Sequence, residues 1–477
     1  MQGTYKKLII LLLIVSLILR VGSVFTSPVK DWDETVYDNL GHDLSMNLFD
    51  YSFANNGWSD FIPGGMYPNA GFRPPLLPYI LAVFYFFNMG FFIQFIIPVI
   101  GTLAVLLIYL LGKNMFDAKA GLLAAMFLAI TPLHIIMSGR IMNDVLSTTL
   151  IILSFLIFWK GYENNINYAK VLFGFVFALA LLARYTTLWL FPVFLLYFII
   201  RDKSVRFLKD KYLWFAFGAF TLTLTPLLIY GILFYNNPIG AFIHGGISAS
   251  YWGGQQPAHF FLTTAFNNFS FIALIFLFSL AYIIMKRLYR YKQIYFLLLW
   301  VFIFFGFAML MPHKEDRFIL PAAPAIALVA AFYLSRARTK RWITIGVTIL
   351  VFAHSAIILS ISANNNYNNV NINCFLQTTD YLKQQKMPYV TVSENPLMIR
   401  YYTRGESAYY PDDLTLDHLK EIEMSHEIPV YFVFTKFNSG FGTEKWMALK
   451  DMLRQNYRQV FACRGDPDAN FIYSNEI

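Results

Sequence analysis

Apolar runs of about 20 residues recur along most of this chain, separated by short polar connections. They lie near 8–25, 92–111, 119–136, 144–159, 170–184, 187–200, 212–235, 268–285, 293–311, 318–335 and 341–361. Runs of this length predict membrane-crossing helices, about 11 in all, because each span must satisfy its own backbone hydrogen bonds in hydrocarbon. They are continuous and rich in Leu, Ile and Phe, which excludes a barrel of short alternating strands. One further run, Leu76 to Phe87, has about a dozen residues, follows Arg73-Pro74-Pro75 and carries Pro78 in its first turn. That length suits an interfacial or re-entrant helix.

After Ile361 the pattern changes. The stretch 362–373 is Asn-rich and reads as a linker. From Cys374 onward the chain predicts a small soluble α/β domain, 374–477, with strands at 389–392 and 430–434 and helices at 414–424 and 444–455. The expected organisation is a transmembrane domain, 1–361, with a long first outer loop at 26–91, then the linker and the α/β domain. No internal repeat, phosphate-binding Gly-rich loop or zinc spacing is present.

Composition agrees with the pattern. Of 477 residues, 57% are hydrophobic, 18% aromatic and only 14% charged, with a mean hydropathy of +0.51. The net charge of +9 does not point to nucleic acid, because Lys and Arg gather in alternate connections. Lys6-Lys7, Lys113 and Lys119, Lys160 and Lys170, Arg201 to Lys211, Lys286 to Lys292, and Arg336 to Arg341 occupy one set. The other set holds only Lys30, Arg73, Arg140, Arg184, Lys314 and Arg317 before residue 362. The positive-inside rule then predicts a cytoplasmic N-terminus, an odd number of crossings and an extracytoplasmic C-terminal domain. The first run is long for a signal peptide and lacks a small-residue cleavage site, so it reads as a retained anchor. Cys374 and Cys463 both fall on the predicted outer side; the sequence leaves open whether they pair.

This topology puts the polar stretches that carry chemistry on one face. Lys30-Asp31-Trp32-Asp33-Glu34-Thr35-Val36-Tyr37-Asp38 holds four carboxylates beside a membrane interface. If helical, it puts Glu34 and Asp38 on one side, four residues apart. Such acids serve as a general base, bind a cation, or form a solvated loop. In Ser138-Gly139-Arg140-Ile141-Met142-Asn143-Asp144, Asp144 either completes a helix N-terminus or does chemistry, and Arg140 lies against the charge trend. Pro312-His313-Lys314-Glu315-Asp316-Arg317-Phe318 either makes a phosphate site or pairs internally, for example Lys314 with Asp316. Within the loop 236–267, Tyr251-Trp252-Gly253-Gly254-Gln255-Gln256 suits sugar stacking or an interfacial aromatic belt.

Together these residues resemble the GT-C superfamily of membrane glycosyltransferases. Asp33-Glu34 with Tyr37 is similar to the Asp-Glu signature of the protein O-mannosyltransferase and aminoarabinose-transferase branch, and Arg73-Pro74-Pro75-Leu76 to a stretch that follows it there. Arg140 to Asp144 looks like that branch's second outer loop. His313-Lys314-Glu315-Asp316-Arg317-Phe318 resembles the His-Lys-Glu-x-Arg-Phe motif of the lipid-linked-oligosaccharide and GPI-anchor mannosyltransferases. The resemblance covers residues 1–340 and mixes marks of two branches. It implies a GT-C-like polytopic α-helical fold and inverting transfer of a sugar from a polyprenyl- or dolichyl-phosphate donor. The acceptor would be a protein, a lipid or a glycan. In this reading Asp33, Glu34 and Asp144 are catalytic, with Asp33 the general base, and Arg140, Arg184, His313, Lys314 and Arg317 hold the donor phosphate. Tyr37, Glu315 and Trp252 face the sugar or acceptor, and the C-terminal domain caps the acceptor path. A divalent cation, Mg or Mn, is compatible with the acids, but no spacing demands it. The alternative is a transporter or flippase for an anionic or polyprenyl-linked solute. Transporters favour repeated halves and polar groups near the midplane, and here only Arg20 lies deep in a span.

Overall fold

The computed structural model describes residues 2–52, 70–251, 255–336, 341–410, 415–425, 427–435, 443–464 and 470–474. Two compact units emerge. The first comprises Met1–Phe25, Gly71–Leu77 and Phe91–Ile361; the second comprises Thr26–Ala70, Pro78–Gly90 and Ser362–Ile477.

The first unit is a helical membrane domain. Among the described residues, eight helices are long and apolar enough to cross a membrane, and two bent pairs bring the number to ten. Asn167–Ala183, a shorter apolar helix of 17 residues, lies on the remaining expected span, so each of the 11 predicted positions falls on helix. The run after Arg73-Pro74-Pro75 forms the helix Leu76–Phe86, whose 11 residues are too few to cross.

One bend has a clear cause. The helices Ala118–Ile130 and Pro132–Ser138 meet at 61°. Pro132 has no N–H, so the Leu128 carbonyl loses its partner four residues on. The fully buried Arg20 supplies one instead: its Nη2 donates to Leu128 O at 3.2 Å and its Nη1 to Ala129 O at 3.3 Å. Arg20 also contacts His134 Nδ1 at 3.0 Å and Ser16 Oγ at 2.6 Å. The only charge predicted deep in a span is thus structural. Elsewhere backbones meet directly: a Cβ on Gly112 would lie 2.8 Å from Gly121 Cα, so neither position tolerates a side chain without separating the helices.

The second unit holds the C-terminal α/β fold. Its five strands are β1 Val390–Ser393, β2 Glu406–Tyr409, β3 Val430–Thr435, β4 Arg458–Ala462 and β5 Asn470–Ser474, in the order β2-β1-β3-β5-β4. β1 is parallel to β2 and β3, while β5 is antiparallel to β3 and β4. Alternation along the strands feeds two cores. Val392, Phe432, Phe434 and Tyr473 face the helices Leu416–Met424 and Thr443–Asn456 through Leu419, Leu449 and Leu453. Tyr431, Val433 and Ile472 face Ile372, Phe375, Met398 and Ile399 on the opposite side. The expected strands and helices recur, and most of the Asn-rich stretch 362–373 is helical. The helix Arg341–Tyr367 runs through Asn364–Asn366, and the next helix, Val370–Lys383, starts after the side-chain cap Asn369. Asparagine is a tolerable helix residue and a favoured cap, so its abundance does not make a loop.

Cys374 and Cys463 form a disulfide spanning 89 positions. Closing a loop of that length removes about 4–5 kcal/mol of unfolded-state entropy in the chain-entropy model. Replacing both cysteines by serine is expected to lower the unfolding midpoint of this unit by a comparable free energy, read by denaturant titration; an unchanged midpoint would refute it.

Glu394, just past β1, is buried; its Oε1 accepts from Thr435 N at 2.7 Å and Thr435 Oγ1 at 3.0 Å. Burial lifts its carboxyl from 4.5 to about 7. The folded state therefore holds a proton that the unfolded chain releases at lower pH, and stability falls as pH rises from about 4.5 to about 7. Glu394→Gln mimics the neutral form. It should flatten this dependence and stabilise the unit at pH 8 by roughly 3 kcal/mol, read as melting temperature against pH. A pH profile identical to that of the unaltered chain would contradict this.

Candidate active site

In the first unit, four stretches separated in sequence come together. The helix Lys292–Leu310 ends in the turn 311–315, which enters the short 3-10 helix Asp316–Ala322. Phe318 on that helix is flanked by two guanidinium groups, Arg184 Cζ at 5.2 Å and Arg317 Cζ at 5.7 Å from the ring centre. His313 meets the same ring edge-on at 5.8 Å. Arg317 Nη1 also reaches Met142 Sδ at 3.6 Å, which brings the 140–144 turn alongside. Tyr185, next to Arg184, donates to Gly71 O at 2.7 Å and Arg73 O at 3.3 Å, which ties in the Arg73-Pro74-Pro75 stretch.

The pairing within this cluster differs from the internal pair the sequence suggested. Glu315, not Asp316, bridges the cations. Its oxygens lie 2.6 Å from Arg317 Nε, 2.9 Å from Arg317 Nη2 and 3.0 Å from His313 Nε2. Arg317 thus hydrogen-bonds the carboxylate through Nη2 and meets it as a close ion pair at Nε, donors that would also suit a phosphate. The Glu315 side chain is 38% exposed, so an incoming anion can displace it and use the same donors. Asp316 instead accepts from Asn268 Nδ2 at 2.8 Å. Lys314 is buried, with Nζ donating to Gln256 O at 2.9 Å and Met311 O at 2.5 Å, so two of its three N–H groups bind backbone.

Asp144 lies in the first turn of the helix Asn143–Phe158, where a carboxylate favours the helix dipole. It is fully buried and ion-paired with Arg184. Its surroundings suit holding Arg184 in place rather than meeting a substrate. Arg140 is half-buried, at a tight turn in which Met142 N donates to Arg140 O at 2.9 Å.

In the second unit, the acid-rich stretch is helical over Trp32–Met46. Asp31 is its N-cap, and a reciprocal capping box joins Asp31 and Glu34, with Asp31 N donating to Glu34 Oε2 at 2.9 Å. Glu34 is buried and has Lys30 Nζ 3.7 Å away. Asp38, also buried, accepts from the Tyr85 hydroxyl at 2.8 Å, and Arg404 Nη1 lies 3.8 Å from it. Burial pushes the Asp38 carboxyl above its ordinary value, while Tyr85, Arg404 and the more distant His42 and Lys30 oppose that shift. Asp31, Glu34 and Asp38 thus hold this helix and its neighbours. Asp33 lies half-exposed in the first turn, and Tyr37 is buried. Glu34, expected as a catalytic partner, also closes the capping box.

Trp252 lies outside the described residues. Among the described residues, no three His, Cys, Asp or Glu side chains gather as a metal site. The sequence reading missed Arg400, Tyr402 and Arg404, which contact the acid helix across more than 350 positions. No local pattern could have flagged them.

Residues 72–230 match the family model described as dolichyl-phosphate-mannose-protein mannosyltransferase. Alpha-1,2-mannosyltransferase ALG9 of Arabidopsis thaliana is 32% identical over 129 residues, which is 27% of this chain and only 20% of that relative's length. Among solved structures, ArnT from Cupriavidus metallidurans bound to undecaprenyl phosphate superposes with a TM-score of 0.74 at 13% identity, over 98% of this chain and 97% of that one. The archaeal oligosaccharyltransferase AglB from Archaeoglobus fulgidus, in complex with an inhibitory peptide and a dolichol-phosphate, matches with a TM-score of 0.62 at 14% identity, over 100% of this chain and 74% of that one. The chain has a GT-C fold with a small C-terminal α/β domain, and it is a multi-pass membrane protein.

Proposed function

We propose that this GT-C-fold chain is an inverting glycosyltransferase. It moves a sugar from a polyprenyl- or dolichyl-phosphate donor to a hydroxyl of a protein, lipid or glycan acceptor on the extracytoplasmic face. The observation that carries this reading is the cluster at Phe318: two arginines and a histidine in a membrane unit, already gripping a displaceable carboxylate. A lipid phosphate can likewise present two oxygens to an arginine fork, and it gains negative charge as it departs. The solved relatives of this fold that carry undecaprenyl phosphate and dolichol-phosphate support the same ligand class. The Lys/Arg asymmetry and the Cys374–Cys463 disulfide support a cytoplasmic N-terminus and an outer C-terminal domain.

In the proposed reaction the acceptor hydroxyl oxygen attacks the anomeric carbon and forms the new C–O bond. The Asp33 carboxylate takes the hydroxyl proton. The bond from the anomeric carbon to the phosphate oxygen breaks on the opposite side, and its electron pair leaves with the lipid phosphate. Arg317, Arg184 and Arg140 stabilise the growing negative charge, with His313 as a further donor. Lys314 keeps the 256 and 311 backbone in place, and Asp144 keeps Arg184 in place. The test is the stereochemistry of transfer by purified protein. A product whose anomeric configuration is opposite to the donor's is expected; retained configuration would overturn the single-displacement reading.

A further inference from the structure

We infer that the C-terminal domain is a positioning device for the acid helix, with Arg400 and Arg404 clamping Asp43 and Asp38 so that Asp33 is held in one pose. This rests on the reading of Asp33 as the base. The contacts all lie in the second unit and run the length of the helix Trp32–Met46. Before its cap, Lys30 N donates to the Tyr402 hydroxyl at 2.6 Å. Mid-helix, Arg404 Nη1 faces Asp38 Oδ2 at 3.8 Å, and Asn39 Nδ2 donates to Leu397 O at 3.1 Å. In the last turn, Arg400 grips Asp43 with two bonds, Nη2 to Oδ1 at 2.9 Å and Nη1 to Oδ2 at 3.3 Å. Tyr402, Leu397 and Arg400 belong to one short helix, Pro396–Thr403, and Arg404 is its left-handed C-cap at φ 57°. Gly41 lets the acid helix sit against a second element: a Cβ there would lie 2.6 Å from Leu81 Cβ.

Helix geometry turns this grip into control of the reaction. Asp33 lies ten residues from Asp43, about 15 Å along a rigid helix. A tilt of about 5° at the Asp43 end moves Asp33 by more than 1 Å, and a misplacement of about 1 Å can cost about 100-fold in rate. In this set Asp38, Asn39 and Leu397 are deeply buried. The Arg400–Asp43 fork is partly exposed, so it contributes more to direction than to stability.

The experiment compares Arg400→Ala, Arg400→Gln, Asp43→Ala and the charge-reversed pair D43R with R400D. Two readouts are kinetics of sugar transfer and hydrogen exchange of the Trp32–Met46 amides. Arg400→Ala and Asp43→Ala are each expected to lower kcat by about 10- to 100-fold with donor KM within twofold, and to speed exchange across the helix. The double Ala variant should be no worse than either single one, and the reversed pair should recover most of the rate. An unchanged kcat and unchanged exchange in a folded Arg400→Gln variant would overturn the inference. So would a rate loss that only follows the folded fraction. If the unaltered protein transfers no sugar yet exchange rises in the variants, the clamp stands and the enzymatic reading fails.

Discussion

Replacing Asp33 by Asn lowers sugar transfer by about a thousandfold while leaving the protein folded. The rate effect is that expected for removing a general base, about 10²–10⁴-fold. Asn keeps the shape and a hydrogen-bonding oxygen but cannot accept the acceptor's proton at neutral pH. The fold effect is small because the helix is held by other residues. Asp31 caps it, Glu34 closes the capping box, and Asp38 and Asp43 meet Tyr85, Arg404 and Arg400. Loss of one first-turn charge weakens the helix-dipole interaction by only about 0.3–1 kcal/mol. Glu34→Gln is the informative companion. Gln still fills the N3 place of a capping box, so its rate loss should be far smaller than that of Asp33→Asn. Single-turnover transfer and a melting curve check both. Equal losses from the two substitutions would place the base at Glu34 or nowhere on this helix.

Arg184→Ala unfolds the membrane unit more readily by about 3–5 kcal/mol, the usual cost of leaving one member of a buried ion pair behind. The abandoned partner is Asp144, which has no exposed surface. The guanidinium also loses its place over Phe318. If Asp144 were a substrate-facing acid, Asp144→Asn would abolish transfer with little change in stability. Here Asp144→Asn is expected to lower stability less than Arg184→Ala, because a neutral amide costs less to bury than a lone carboxylate. Combining Arg184→Leu with Asp144→Leu should recover most of the stability and none of the activity, since the phosphate site then lacks a cation. Unfolding in a detergent series measures the first quantity and donor turnover the second. A double variant less stable than Arg184→Ala alone would show that the pair is more than a mutual neutraliser.

Much of the fold was readable because its governing quantity is linear in sequence. Span length needs no tertiary knowledge, and the predicted positions all fall on helix. The strands at 390–393 and 430–435 were also visible as β-branched and aromatic runs. What escaped was set by distance in space. Pro132 is visible as a breaker, but the partner of the carbonyl it frees is Arg20, 108 positions away from Leu128. β2, with the sequence Glu-Ser-Ala-Tyr, is short and polar; its place at the edge of the sheet comes from pairing with β1, not from its own composition. That most of the Asn-rich stretch is helical was not readable, because composition says little about a helix end.

The candidate site divides in the same way. The 313–318 motif pointed to a cation cluster, and Arg184 joins it around Phe318 as charge placement suggested. The division of labour within it was not readable. Whether Lys314 meets a ligand or a carbonyl, and whether Glu315 or Asp316 bridges the cations, depends on how the 256 loop and Asn268 pack against the turn. Likewise the acid stretch announced a helix. That Arg400 and Arg404 hold Asp43 and Asp38 follows only from folding of the C-terminal unit.

The most direct measurement of the central claim is donor use by purified protein in bilayer discs. It would be supplied in parallel with a panel of polyprenyl-phosphate sugars and with nucleotide sugars, and assayed for sugar transfer and for release of polyprenyl phosphate. The account predicts turnover of at least one polyprenyl-phosphate sugar, with polyprenyl phosphate as the leaving product, and none of the nucleotide sugars. Turnover of a nucleotide sugar alone, or no turnover of any lipid-linked donor by folded protein, would contradict it.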